Sequence, residues 1–187
     1  MNKHTLRKIY KEKRASLSEA LRDLQSLDIA NQSLTLPIWN KRLYHIFFSI
    51  ENQNEVNTQY LLNILFGKDK NIATSKTIFE ENRLKHFLLT DQTLIKINSQ
   101  GIPEPDGGIP IEPQLIDVIF VPLLAYDIQG NRIGYGKGFY DRFFLECRFD
   151  VLKIGLSFFP PEKEISDISQ NDIPLDYCIT PQTIFKF

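Results

Sequence analysis

Near the start of the chain, Leu6, Ile9 and Tyr10 recur at helical spacing, while Lys3, Arg7, Lys11 and Arg14 form a separate basic stripe. Side chains three and four apart share a helix face, so the pattern predicts a helix over 3–14. Ser16 followed by Glu19 has the form of a capping box, opening a second helix with Ala20, Leu21, Leu24 and Leu27 as its apolar face. LYHIFFSI at 43–50 is rich in aromatic and branched residues and reads as a buried strand. Thr58 is placed to cap a helix through Tyr60, Leu61, Leu62, Ile64 and Leu65. A short strand is expected at 71–75 and one or two more within 76–100. A loop is expected at 101–110, where three prolines and three glycines fall in ten residues. LIDVIFVP at 115–122 is a nearly unbroken apolar run ending at a proline, the pattern of a central strand covered on both faces. A long loop follows, then a helix beginning near Gly138, a strand at 151–158 and a last one at 176–180. This alternation predicts a layered α/β domain without ordering its strands.

Composition narrows the function classes. The 187 residues are 42% hydrophobic and 24% charged with a net charge of −1, enough for one domain with a sizeable core. No repeat or linker divides the chain, so residues 1–187 are expected to form a single domain. The charge balance gives no global pull toward nucleic acid or an anionic membrane, and any basic site must be local. No apolar run approaches the roughly 18 residues of a membrane span, and the opening MNKHTLRKIYKEKR lacks the apolar centre of a secretory leader. Cys147 and Cys178 could form one disulfide, but two packed thiols of a reducing compartment are the expectation. A cytoplasmic monomer with no nucleic-acid or membrane partner is the expectation. His4, His45 and His86 fit no metal-ligand spacing.

RIGYGKGFYDR at 132–142 holds the main chemical signal. Gly134, Gly136 and Gly138 let main-chain N–H groups converge on one ligand, and a helix start just beyond adds unpaired donors and a positive dipole end. Such a place suits a phosphate, with Lys137 as a mobile charge and Asp141 able to hold a divalent metal. The spacing is neither that of a Walker A loop nor that of a dinucleotide fingerprint. A tight turn without a ligand is the alternative on spacing alone.

A longer stretch is more specific. VPLLAYDIQGNRIGYGKGFYDR at 121–142 resembles the signature of the 5-formyltetrahydrofolate cyclo-ligases, with Val121, Pro122, Tyr126, Asp127, Gly130, Arg132, the three glycines, Phe139, Tyr140 and Asp141 all in place. Lys3, Leu6 and Arg7 are similar to the family's opening, Glu55, Val56 and Thr58 to its E-V-x-T, and Gly101, Ile102, Glu104 and Pro105 to its G-I-x-E-P loop. Residues 172–176, with Thr180, resemble its closing D-V-P-L-D. Residues 66–100 are not diagnostic. Asn57 and Asn171 depart from the residues common at those places.

The resemblance implies a central mixed, largely parallel sheet flanked by helices, like the fold of sugar-phosphate isomerases and CoA transferases. It implies ATP-dependent closure of 5-formyltetrahydrofolate to 5,10-methenyltetrahydrofolate with Mg²⁺, through a phosphorylated formyl oxygen. Lys137 and Arg132 are then the expected catalytic residues. Lys3, Arg7 and the run Arg132, Ile133, Gly134, Tyr135, Gly136, Lys137, Gly138, Phe139 and Tyr140 would surround ATP. Ile50, Glu55, Ile102, Tyr135 and Phe139 would hold the folate, and Asp141 and Asp176 the metal. Two rival readings are a noncatalytic module binding a phosphorylated metabolite and a phosphotransferase acting on another small substrate.

Overall fold

A computed structural model describes residues 1–187. Helix α1 (Lys3–Ala15) begins where the Asn2 side chain accepts the Thr5 N–H at 2.9 Å and ends on Lys13 and Arg14, cations suited to its negative dipole end. Helix α2 (Glu19–Ser33) differs from expectation at its start and on its face. Ser18, not Ser16, caps it, accepting the Leu21 N–H at 3.2 Å, while Ser16 turns back to the Lys13 carbonyl. The face turned inward is Ser26, Ile29, Ala30 and Ser33, whereas Leu21, Leu24 and Leu27 are 40%, 56% and 38% exposed. Small side chains permit close approach, and the two inward serines satisfy their hydroxyls on the carbonyls of Arg22 and Ala30. Leu24→Ala is therefore expected to change stability by no more than about 0.5 kcal/mol, against about 2–5 kcal/mol for Ile29→Ala, compared by denaturant titration.

Strand β1 (Leu43–His45) is shorter than the expected 43–50. After the Ile46 N–H reaches the Ala73 carbonyl, the chain folds over itself, with Ser49 Oγ donating to the Val56 carbonyl and accepting the Thr58 N–H. Helix α3 (Gln59–Gly67) follows, and the Thr58 hydroxyl donates to the Phe47 carbonyl rather than capping the helix. Then come β2 (Asn71–Ile78), β3 (Arg83–Leu88), β4 (Ile95–Ile97), β5 (Pro103–Pro105) and β6 (Pro110–Ile111). The expected loop at 101–110 thus contains β5, paired only with β4 in a two-stranded ribbon, where a proline's missing N–H is tolerated. The remaining elements are β7 (Val118–Pro122), β8 (Ala125–Tyr126), β9 (Arg132–Ile133), α4 (Phe139–Glu146), β10 (Leu152–Leu156), β11 (Tyr177–Ile179) and β12 (Ile184–Lys186).

The main sheet has the order β12-β11-β10-β7-β1-β2-β3-β6, parallel from β11 through β2 and antiparallel at its ends. This is the expected mixed, largely parallel sheet. β7 explains its unbroken apolar run by parity: Val118 and Phe120 pack with Ile29, Leu61 and Leu65 on one face, and Ile119 and Val121 with Phe143 and Phe144 on the other. From β1 the chain steps outward to β2 on one side, and from β7 to β10 and β11 on the other, so strand order reverses between β1 and β7. A crevice beyond the carboxyl ends of strands at such a reversal is where α/β sheets bind ligands. Helix α1 lies there, packed through Leu6 and Tyr10 on the β8–β9 hairpin (Leu124, Ala125, Ile133).

Candidate functional site

Two cavities adjoin at this crevice, of about 540 and 620 Å³ including their open mouths. Pro122, at the carboxyl end of β7, and Tyr135, Phe139 and Tyr140 belong to the walls of both. One cavity is polar, lined by Lys3, Arg7, Arg132, the glycine loop, Lys137, Asp141 and Asp172. The other is mainly apolar, lined by Phe47, Phe48, Ile50, Ile102 and Leu84, with Glu55, His45 and Ser75 among its polar members.

The β8–β9 hairpin delivers the glycine loop to the polar cavity. Gly136 (φ +96°) and Gly138 (φ +71°) have left-handed conformations, and Cβ atoms there would approach Arg7 Cζ at 3.3 Å and Arg142 Nη1 at 3.0 Å. Gly138 is the N-cap of α4, as expected. Gly134 is different: a Cβ on it would meet open space.

The cations around this loop are unequally engaged. Lys3 pairs with Asp172, and Arg7 Nε donates to the Gly134 carbonyl at 3.0 Å. Arg132 is buried, donating to Asp141 Oδ1 at 2.7 Å and to the Ile173 carbonyl, with its guanidinium 4.6 Å from the Phe144 ring centroid. Burial lowers its pKa, and the Asp141 carboxylate offsets that only in part. Lys137 has an exposed side chain with no hydrogen bond or ion pair, while its carbonyl accepts from Arg142 Nη1 at 2.8 Å. Ile133 turns away from the cavity into the core under α1, so only its main chain belongs to the site's framework.

Of the two expected metal carboxylates, Asp141 lines the polar cavity and Asp176 does not. Asp176 pairs with Lys153 Nζ at 2.7 Å and accepts the Lys153 N–H at 2.7 Å, at the starting end of β10 and β11. Asp172 occupies the cavity wall instead. Four residues of extended chain span about 13 Å, so both ends of 172–176 do not reach one cavity. Burial alone would raise the Asp172 carboxyl, but Lys3 and the Ser169 N–H outweigh it and lower the pKa.

In the apolar cavity, Glu55 is buried, accepting the Tyr135 hydroxyl on Oε1 at 2.6 Å and the Ile50 N–H on Oε2 at 2.8 Å. Burial raises its pKa, opposed by the Arg14 charge and by both hydrogen bonds. Ile50, Ile102 and Phe139 line the same cavity, and Phe79 meets Phe139 edge-on at 6.2 Å. His45 and His86, kept neutral by burial, share the Ser75 hydroxyl at 2.6 and 2.8 Å. Sequence reasoning missed Arg14, Asp172 and Ser75. Arg14 was in view as the end of the basic stripe, and Asp172 as the first residue of the closing segment, whereas nothing local marks Ser75.

Comparison with known proteins gives the family. A model described as the 5-formyltetrahydrofolate cyclo-ligase family matches residues 1–181. A probable 5-formyltetrahydrofolate cyclo-ligase of Schizosaccharomyces pombe is 27% identical over 100% of this chain and 98% of its own. The 5-formyltetrahydrofolate cyclo-ligase of Mus musculus is 32% identical over 72% of each. The solved 5,10-methenyltetrahydrofolate synthetase of Aquifex aeolicus superposes with a TM-score of 0.84 at 28% identity, covering 100% of this chain and 93% of its own. From α1 through the glycine loop to β11, on sequence and on fold alike, the chain belongs to the 5-formyltetrahydrofolate cyclo-ligase family.

Proposed function

We propose that the protein, acting as a single domain, closes 5-formyltetrahydrofolate to 5,10-methenyltetrahydrofolate at the expense of ATP, releasing ADP and phosphate. One observation carries this reading: a cation-lined polar cavity and an apolar cavity holding a buried carboxylate share the wall Pro122, Tyr135, Phe139 and Tyr140. A reaction that passes a phosphoryl group onto an oxygen of a flat heterocycle needs those two environments in contact.

The formamide oxygen is a poor leaving group. It attacks the γ-phosphorus, the bond from that phosphorus to the ADP oxygen breaks, and the oxygen leaves later as phosphate. N10 then bonds the formyl carbon, the carbon–oxygen bond breaks, and the N10 proton leaves with the phosphate or to water. The glycine-loop main chain, Lys3 and Arg7 hold the phosphates, and Lys137 follows the charge during transfer. Arg132, with both Nη groups engaged, positions Asp141 and the 172–173 segment rather than meeting the phosphate as a free charge. Tyr135, Phe139, Ile50 and Ile102 pack the ring, and Glu55 accepts from its amino and N–H edge.

No group of three or more His, Cys, Asp or Glu side chains is arranged to hold a metal. Asp141 and Asp172 on one wall nevertheless fit Mg²⁺, which commonly takes one or two carboxylates and completes its shell with phosphate oxygens and water. Bound there, Mg²⁺ would neutralise the phosphate oxygens. A cytoplasmic location accords with the free thiols of Cys147 and Cys178, and no helix is long and apolar enough to cross a membrane.

The direct test mixes the protein with 5-formyltetrahydrofolate and Mg²⁺, with and without ATP, and follows methenyl absorbance. ATP-dependent growth with matching ADP is expected; ATP consumption without that chromophore would mean another phosphoryl acceptor. Glu55→Gln is expected to raise the folate KM about 10- to 100-fold, the worth of a charge-assisted hydrogen bond. Burial raises the Glu55 pKa, so the accepting carboxylate is present above that value and lost as pH falls through it. The acid limb of folate kcat/KM should therefore lie above the usual glutamate value of about 4.3 and vanish in Glu55→Gln.

A further inference from the structure

Arg14 ends the basic stripe of α1 and is its only fully buried member, 3% exposed. Its guanidinium donates to the Tyr135 phenol oxygen at 2.9 Å, to the Gln53 carbonyl at 3.4 Å and to the Leu123 carbonyl. The same phenol donates to Glu55 Oε1 at 2.6 Å. One hydrogen-bonded chain therefore joins α1, the glycine loop and the 50–55 segment. Two turns up the same helix, Arg7 grips the loop at the Gly134 carbonyl, so α1 fixes Tyr135 from both sides.

We propose that Arg14 is a positioning residue for ring closure: through the Tyr135 phenol it holds the Glu55 carboxylate and the glycine loop in one array, setting the folate pocket and the phosphate cavity together. The assignment rests on the cyclo-ligase reading. Glu55 can hold substrate without releasing Tyr135, because a carboxylate offers about four acceptor sites and the phenol and the Ile50 N–H fill two. Leaving a buried cation such as Arg14 without a direct carboxylate partner is costly, and the phenol bridge gives that cost a use.

The ionisable groups facing Glu55 are Arg14 from α1, Tyr135 from the loop, and Tyr140 from α4. His45 of β1 shares its cavity, and Glu19, Arg22, Asp23 and Glu51 line the groove on its outer side. Arg14 and Arg22 are the cations in this set, and Arg14 is the one whose charge acts on Glu55. Removing it leaves burial less opposed, so Glu55 takes up a proton at higher pH.

Arg14→Met keeps the apolar stem and removes the charge. The folate KM at neutral pH should rise about tenfold, the value of a hydrogen bond to a charged group, with the acid limb of folate kcat/KM moving toward neutrality. Arg14→Lys should recover part of both changes, since one ammonium cannot reach phenol and carbonyls together. In a Glu55→Gln background, Arg14→Met should no longer move the pH profile. Tyr135→Phe leaves the carbonyl contacts of Arg14 in place, guards against a folding defect, and should shift the limb in the same direction. Lowered thermal stability with folate KM and acid limb unchanged in both Arg14→Met and Tyr135→Phe overturns the assignment, leaving Arg14 as an anchor of α1. A wild-type protein that forms no methenyl product overturns the cyclo-ligase reading, and this assignment with it.

Discussion

Lys137→Ala is expected to lower kcat for ATP-dependent ring closure by about 100- to 1,000-fold, the range seen when one preorganised stabiliser of transition-state charge is removed. The expectation comes from how the cations of the polar cavity are engaged. Lys3 is paired with Asp172 and Arg132 with Asp141, and Arg7 is committed to the Gly134 carbonyl. Lys137 alone among them has a side chain without a partner, on a backbone fixed by Arg142 at the Lys137 carbonyl. A charge on a fixed root with a free end can travel with the phosphoryl group from ADP to the formyl oxygen. The paired cations hold the ground state as much as the transition state, so their loss should appear mainly in the ATP KM. The folate KM of Lys137→Ala should stay within about threefold of wild type, because uniform binding and transition-state stabilisation separate in this way. A variant that turns over normally and binds folate poorly would place Lys137 in the folate pocket instead.

The same loop marks how far sequence carries. Gly136, Lys137, Gly138 and Asp141 were legible because a short motif fixes their neighbours: the left-handed φ values and the helix start are local properties. The central strand was equally legible, since a run buried on both faces has no polar alternation to misread. Contacts made across the chain were not. Arg14 reads as the end of a charge stripe until the Leu123 carbonyl, 109 residues away, is seen beside it. The sequence points to Asp176 in the closing segment, but Asp176 pairs with Lys153 of β10 away from the crevice, and Asp172 lines the polar cavity in its place. The inward face of α2 was misread for a related reason. Leu21, Leu24 and Leu27 have the stronger apolar pattern, but Ser26, Ala30 and Ser33 offer the smaller surface, and closeness of packing won. A β-strand built on Pro103 and Pro105 defeats any reading by composition.

Gly130→Ala is expected to destabilise the protein by about 3 kcal/mol, combining roughly 1–2 kcal/mol for a left-handed conformation with about 1–3 kcal/mol for overpacking. Gly130 has φ +83°, and a Cβ there would lie 2.9 Å from the Leu175 carbonyl oxygen and 2.8 Å from the Phe187 ring. One obstacle is backbone, so a change of rotamer does not relieve it. At roughly 2–4 °C per kcal/mol for a chain of this size, the melting temperature should fall by about 6–12 °C. Gly134→Ala is the matched control: its Cβ meets open space, and its melting temperature should stay close to wild type. Equal melting temperatures for the two variants would mean that the hairpin turn yields without cost. The defect should also reach the site. Gly130 is where the β8–β9 hairpin ties to the closing segment, its carbonyl accepting the Leu175 N–H at 2.9 Å, and that segment presents Asp172 to Lys3 and the Ile173 carbonyl to Arg132. Below its melting temperature, Gly130→Ala should therefore show a raised ATP KM with the folate KM little changed, because the displaced segment borders the polar cavity and not the apolar one.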